Sequence, residues 1–182
     1  GLPLSGDSSV DPPTERCYWV VPGQLLAGAY PGSADLVEHE RRIAALYDAG
    51  LRTFVSLMEE HERDGQGRPF VPYASRLELL SRAVRCARFP IPDLSIPSVG
   101  EMRSILDAID RSLAAGNPVY VHCFGGIGRT GTVVACWLIR HQLATPESVL
   151  DVLSELRRTD SARRDRPAPE APAQVRFVQA WR

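Results

Sequence analysis

Residues 119–131 read Val119-Tyr120-Val121-His122-Cys123-Phe124-Gly125-Gly126-Ile127-Gly128-Arg129-Thr130-Gly131, and the rest of the chain is read outward from them. The apolar run 118–121 predicts a buried strand, and the apolar segment 132–143 predicts a helix. Between them Cys123 and Arg129 bracket five residues, three of which are glycine. Such a loop can curl so that successive backbone N–H groups point inward and form an anion nest. The following helix adds the positive end of its dipole at the same point. A thiolate at Cys123 would be stabilised by those N–H groups and by Arg129. A guanidinium is also the side chain that forks two hydrogen bonds onto a phosphate. Seven consecutive residues thus supply a nucleophile, an oxyanion cradle and a bidentate cation.

This segment resembles the signature loop of the cysteine-dependent protein tyrosine and dual-specificity phosphatases: His-Cys, five residues, Arg, then Ser or Thr. Here the fixed positions are His122, Cys123, Arg129 and Thr130, and the strand–loop–helix context is the one the chemistry needs. Residues 20–31, VVPGQLLAGAYP, resemble the entry segment of bacterial and small atypical dual-specificity phosphatases. The competing structural reading is a buried cysteine beside a Gly-rich turn.

The whole chain is consistent with one domain. At 182 residues it is long enough to bury a core, and 44% hydrophobic with 24% charged residues is an ordinary globular composition. A net charge of -1 gives no reason to expect a nucleic acid or a membrane surface as partner. All 21 basic residues are arginine, which reads as the codon bias of a GC-rich, bacterial genome. No apolar run is long enough to span a bilayer. Cys17, Cys86, Cys123 and Cys136 fit neither a zinc pattern nor a small disulfide scaffold. A nucleophilic thiolate favours a reducing, cytoplasmic setting. The chain opens on Gly1 rather than Met, so residues are expected to have been removed ahead of it, which leaves room for a cleaved signal peptide.

Along the chain, residues 1–16 read as a flexible polar arm and 17–182 as a single domain. Strands are expected at 18–21 and 24–27 around the Pro22-Gly23 turn, then at 51–57 and 84–91. Helices are expected at 35–49 with Ser33 as cap and Leu36, Ile43, Leu46 and Tyr47 inward, and at 73–83. Another follows the Ser98/Glu101 capping box and stops near Gly116. Thr145-Pro146 opens a helix to about 157, and a last helix covers 171–181. The helix after the signature loop is apolar nearly all round and belongs in the middle of the fold. Alternating strands and helices imply an α/β fold with a central, largely parallel sheet flanked by helices.

The resemblance implies the chemistry of phosphate monoester hydrolysis. Cys123 takes the phosphoryl group. The N–H groups of Phe124, Gly125, Gly126, Ile127, Gly128 and Arg129, with the Arg129 guanidinium, stabilise it. Asp93 is the candidate acid. It lies on a loop stiffened by Pro90, Pro92 and Pro97, and parallel strands bring that loop to the sheet edge of the signature loop. The resembled family carries its acid on such a loop, upstream of the cysteine by one helix and one strand. An aspartate there could also cap the next helix, a role Ser98 already fills. Glu59, Glu60, His61 and Asp64 are competing acids. Thr130 would stabilise the leaving thiolate or make a first-turn helix hydrogen bond. His122 is expected to order the loop rather than act as a base. Gln174 resembles a glutamine that positions the hydrolytic water in some members, the alternative being an exposed helix residue. Cys17, Cys86 and Cys136, with Trp19, Trp137 and Trp181, are read as packing residues. The arginines at 157, 158, 163, 164 and 166 are read as a solvated face that could dock an anionic substrate.

The expected activity is hydrolysis of phosphotyrosine, and of phosphoserine and phosphothreonine, through a phosphocysteine. No metal or cofactor is implied. A phosphorylated protein or small phosphoester is the expected partner, and a monomer the expected state. A phosphoinositide or inositol phosphate phosphatase is the nearest alternative, weakened because the five loop residues are neutral. A non-catalytic phospho-binding module is a third, and it would need neither thiolate nor acid. Sulfurtransferase and arsenate reductase readings rank below these.

Overall fold

A computed structural model describes residues 11–182. Its five strands are β1 (Cys17–Val21), β2 (Leu25–Gly28), β3 (Thr53–Ser56), β4 (Arg85–Arg88) and β5 (Val119–His122), in the order β1-β2-β5-β3-β4. The β1–β2 hairpin is antiparallel and the other three pairings are parallel. The expected α/β architecture with a largely parallel sheet is the one observed. Strand β5 lies at its centre, with Val119 opposite Leu25 on one side and Thr53 on the other.

Successive side chains of β5 point to opposite faces, so this strand contributes to both halves of the core. Val119 and Val121 join Val55, Met102, Ile105, Val134, Trp137, Leu153, Val178 and Trp181 on one face. Tyr120 joins Trp19, Leu26, Ile43, Leu46, Phe54 and Leu77 on the other. The first face is covered by α3 (Val99–Ala114), α4 (Gly128–Arg140), α5 (Val149–Leu156) and α6 (Pro172–Gln179). The second is covered by α1 (Leu36–Asp48) and α2 (Ala74–Leu80). As expected, α4 is the interior helix, buried without interruption from Gly128 to Leu138.

Several local expectations are corrected. The cap of α1 is Asp35, which accepts the Glu38 N–H at 2.9 Å, whereas Ser33 bonds the Asp35 N–H and shapes the turn before it. Leu36 is 69% exposed rather than inward, because it sits in the first turn outside the Ile43/Leu46 stripe. Strand β4 is only four residues long and exposed throughout, as an arginine-bearing edge strand. Helix α5 starts at Val149, since Thr145 and Ser148 first bond each other's backbone N–H groups in a closed turn. Residues 11–16, read as part of an arm, are tied to the body. Trp19 Nε1 donates to the Asp11 carbonyl, Ala29 N to Arg16, and Ala162 N to Glu15. Residues 1–10 of that arm lie outside the described residues. Cys17 and Cys136 are packed inside, but Cys86 is an exposed thiol on the edge strand. Among the described residues no helix is long and apolar enough to cross a membrane.

Candidate active site

The loop after β5 curls against the end of β2. Gly126 has φ +77°, and a Cβ there would fall 2.6 Å from the Gly28 carbonyl carbon, so position 126 needs glycine for both conformation and space. Gly28 is equally constrained, since its Cβ would meet the Arg16 carbonyl oxygen at 2.4 Å. The curl is pinned by Tyr30 N–H on the Phe124 carbonyl at 3.0 Å and by Thr130 Oγ1 on the Gly28 carbonyl at 3.2 Å. Helix α4 then begins at Gly128, four residues earlier than expected, and Ile127 gives it no side-chain cap. Its first-turn N–H groups have no partner within the helix, which is the arrangement that binds anions.

Cys123 lies at the floor of a cleft of about 270 Å³ lined by the loop, Asp93, Leu94, Arg163, Arg166 and Glu170. The residue is 3% exposed yet lines that cleft, and its sulfur accepts the Gly126 N–H at 3.3 Å. A larger cavity of about 580 Å³ touches the site through Glu62 and His122 but does not reach Cys123.

Arg129, in the first turn of α4, is 1% exposed. Its two terminal nitrogens fork onto Glu62 at 2.6 and 2.9 Å, and one also donates to the Ile91 carbonyl at 2.9 Å. Burial opposes its charge, but Glu62, Cys123 and Asp93 together hold its pKa above the ordinary value. Its Nε is buried with no hydrogen-bond partner among the described residues, a donor that a bound oxyanion would satisfy. Sequence reasoning flagged four acids of the 58–69 loop and missed Glu62. Nothing in the local pattern separates it from Glu59 and Glu60. Asp64 does not reach the site: it accepts the backbone N–H groups of Arg68 and Gln66 and pairs with the Arg68 side chain, which lowers its pKa.

Asp93 is 3.4 Å from Arg129 Nη2 and faces the same cleft, with 61% of its side chain exposed. It occupies a turn closed by Ser95 N–H on the Pro92 carbonyl at 3.0 Å. The next residue, Leu94, takes φ +64°, where a leucine carries about 1 kcal/mol or more of strain. Gln174 braces this turn. It is fully buried, donates Nε2 to the Ser95 carbonyl at 3.1 Å, and accepts N–H groups of Ala171 and Glu170 on Oε1. It is therefore not an exposed helix residue, and its bonds tie the start of its own helix to the loop that carries Asp93. The Thr130 hydroxyl likewise spends its proton on Gly28 across the fold, not on Cys123 and not within its own helix.

His122 is fully buried. Burial, with the nearby Arg88 and Arg129 charges, pushes its pKa from 6.5 down to about 4, against the opposing bond to the Cys123 carbonyl. A carbonyl only accepts, so Nδ1 carries the proton at 3.1 Å from that oxygen, and Nε2 accepts from the Tyr73 hydroxyl at 2.5 Å. The unfolded chain binds this proton near pH 6.5 and the native chain only near pH 4. Stability is therefore fully present above about pH 6.5 and is lost as pH falls toward 4, by about 3 kcal/mol at about 1.4 kcal/mol per pH unit. Ring-proton NMR should show His122 neutral through pH 6, with urea midpoints falling below that. Titration near 6.5 would contradict the burial argument.

The arginine cluster is not one solvated face. Arg157 is 2% exposed and donates to the carbonyls of Arg166 and Arg163 at 2.6 and 2.9 Å. This brings Arg163 and Arg166 to the cleft.

Comparison with known proteins agrees with this geometry. Residues 14–178 match the family model described as "Swiss Army Knife protein, DSP-PTPase phosphatase domain". The chain is 29% identical over 175 residues to the putative tyrosine phosphatase 067L of Invertebrate iridescent virus 3, covering 91% of this chain and 65% of that one. It is 34% identical over 61 residues to the phosphatidylglycerophosphate phosphatase PTPMT1 of Arabidopsis thaliana, covering 34% of this chain and 18% of that one. In both relatives the chain spans less than two thirds of the relative's own length. Among solved structures, Tk-PTP in its active form superposes with a TM-score of 0.63 at 26% identity, over 86% of this chain and 89% of that one. The catalytic domain of the PP-IP phosphatase SIW14 from S. cerevisiae shares the fold at TM-score 0.63 and 20% identity, over 96% of this chain and 89% of that one. With a family match over residues 14–178, and with a cysteine set in a tight loop beside a buried arginine, the chain belongs to the DSP-PTPase family.

Proposed function

We propose that the chain hydrolyses phosphotyrosine, and phosphoserine and phosphothreonine, in proteins through a phosphocysteine on Cys123. The observation that carries this reading is Cys123 itself, lining a cleft, its sulfur bonded to a loop N–H and set beside a buried arginine with an unpaired Nε. The thiolate attacks phosphorus, the S–P bond forms and the P–O bond to the leaving group breaks. Asp93 gives the leaving oxygen its proton. Water then attacks the phosphocysteine and passes a proton to the Asp93 carboxylate, releasing inorganic phosphate and the thiolate. The loop amides and Arg129 hold the charge in both steps. His122 is neutral and spends both ring nitrogens on the Cys123 carbonyl and Tyr73, which suits a scaffold and not a base. Among the described residues Phe124 is the one aromatic side chain that lines the cleft, so no aromatic clamp selects a phosphotyrosine ring, which supports a dual-specificity enzyme over one restricted to phosphotyrosine.

Asp93→Asn tests the assignment. It should lower kcat on phosphotyrosine peptide by about 100-fold or more, and much less on an aryl ester whose leaving oxygen needs no proton. Equal losses on both esters would remove Asp93 from the role of acid.

A further inference from the structure

Arg163 stands on a turn that is fixed from several sides. Its own N–H and that of Arg164 bond the Asp160 carbonyl, at 3.2 and 2.8 Å, and Asp160 Oδ1 also accepts the Arg163 N–H. The buried Arg157 holds the carbonyls of Arg163 and Arg166, and Ala162 N–H bonds Glu15. The backbone is thus tied down, while the Arg163 side chain makes no hydrogen bond or ion pair among the described residues. That guanidinium lies over the nest: a Cβ at Gly125 would be 2.9 Å from Arg163 Nη1. Arg166, also on the rim, is matched by Glu170 at 3.1 Å. A partly buried guanidinium held beside an oxyanion cradle, in the field of the buried Asp160 but in ion-pair contact with no carboxylate among the described residues, is matched by a second anion on the substrate.

We propose that Arg163 forms a second anion subsite, so that the preferred substrate carries another phosphate close to the one hydrolysed. This rests on the phosphatase reading of Cys123 and narrows it. The neutral loop residues then say little against multiply phosphorylated substrates, since the extra charge is supplied from outside the loop. Two sources share this chemistry: a doubly phosphorylated peptide segment and a polyphosphorylated inositol.

The test compares kcat/KM on a phosphotyrosine peptide with the same peptide carrying a phosphothreonine two residues away, and on inositol monophosphate with inositol hexakisphosphate. The doubly or multiply phosphorylated member of at least one pair should be preferred about tenfold at low salt, and that pair identifies the source. Arg163→Ala should bring the ratio close to one. Arg164→Ala, which removes the same charge from the same turn but away from the cleft, should leave the ratio intact. No preference in either pair, or equal losses in the two variants, overturns the subsite. Calorimetry of inositol hexakisphosphate and of the doubly phosphorylated peptide on Cys123→Ser, with and without Arg163→Ala, separates the two readings. About tenfold weaker binding without Arg163 upholds the subsite even if no ester is turned over, and unchanged binding of both ligands refutes it.

Discussion

Cys123→Ser should abolish turnover of every phosphomonoester, by on the order of a million-fold, while the protein stays folded. A serine hydroxyl is a poor nucleophile without a base, and the nearest imidazole cannot serve. His122 donates to the Cys123 carbonyl and accepts from Tyr73, and its proton affinity is too low to take another proton near pH 7. The serine oxygen can still accept the Gly126 N–H that now reaches the sulfur, so the loop keeps its curl. Single-turnover assays on phosphotyrosine peptide, beside circular dichroism of both proteins, check this. Comparable rates in the two proteins would mean that Cys123 is not the nucleophile.

The second large effect belongs to Glu62. Glu62→Gln keeps the shape but withdraws the carboxylate that binds both terminal nitrogens of Arg129. A guanidinium that is 1% exposed would then have the Ile91 carbonyl and Asp93 as its remaining partners. Removing one partner of a buried pair costs about 3 kcal/mol. Misplacing the phosphate-binding fork should also lower kcat/KM by about 100-fold, since small displacements of a positioned group are costly. Because Glu62 acts through Arg129, vanadate affinity should fall in parallel with kcat/KM, a change that a purely structural role would not produce. Glu60→Gln, on the same loop, serves as control. Parental vanadate affinity in Glu62→Gln would show that Arg129 is positioned without it.

How far the sequence goes depends on whether the information is local. The signature loop, its strand and its helix are contiguous, and the apolar pattern of 119–121 and 132–138 specifies a central strand and an interior helix without further help. The capping residue Ser98 is equally local, and its Oγ accepts the Glu101 N–H at 3.0 Å. Asp93 is legible because a Pro-rich loop after a parallel strand has one sheet edge to go to. Contacts that close over long separations are not legible in this way. Glu62 meets Arg129 across 67 positions, and three glutamates in that loop offer the same chemistry. Gln174 meets Ser95 across 79 positions, and only the packing of α6 makes it interior. Arg157 and Arg163 read alike as exposed charge, but Arg157 turns inward to satisfy two carbonyls and thereby aims Arg163 outward. Gly28 carries a weak signal, a glycine ending a strand, whose meaning appears once Gly126 is seen to press on it.

The Arg129 guanidinium is rooted in α4, whose side chains from Gly128 to Leu138 are all buried. Enzymes commonly carry their reactive groups on segments that open easily, so that local breathing and loss of activity precede melting. Here the amides at the helix origin can be released only by lifting the spine of the larger core, so partial opening that spares the fold but dismantles the site is disfavoured. Hydrogen exchange of the α4 amides that are bonded within the helix, from Gly131 onward, would be governed by global unfolding, and thermal inactivation would follow the collapse of the whole domain.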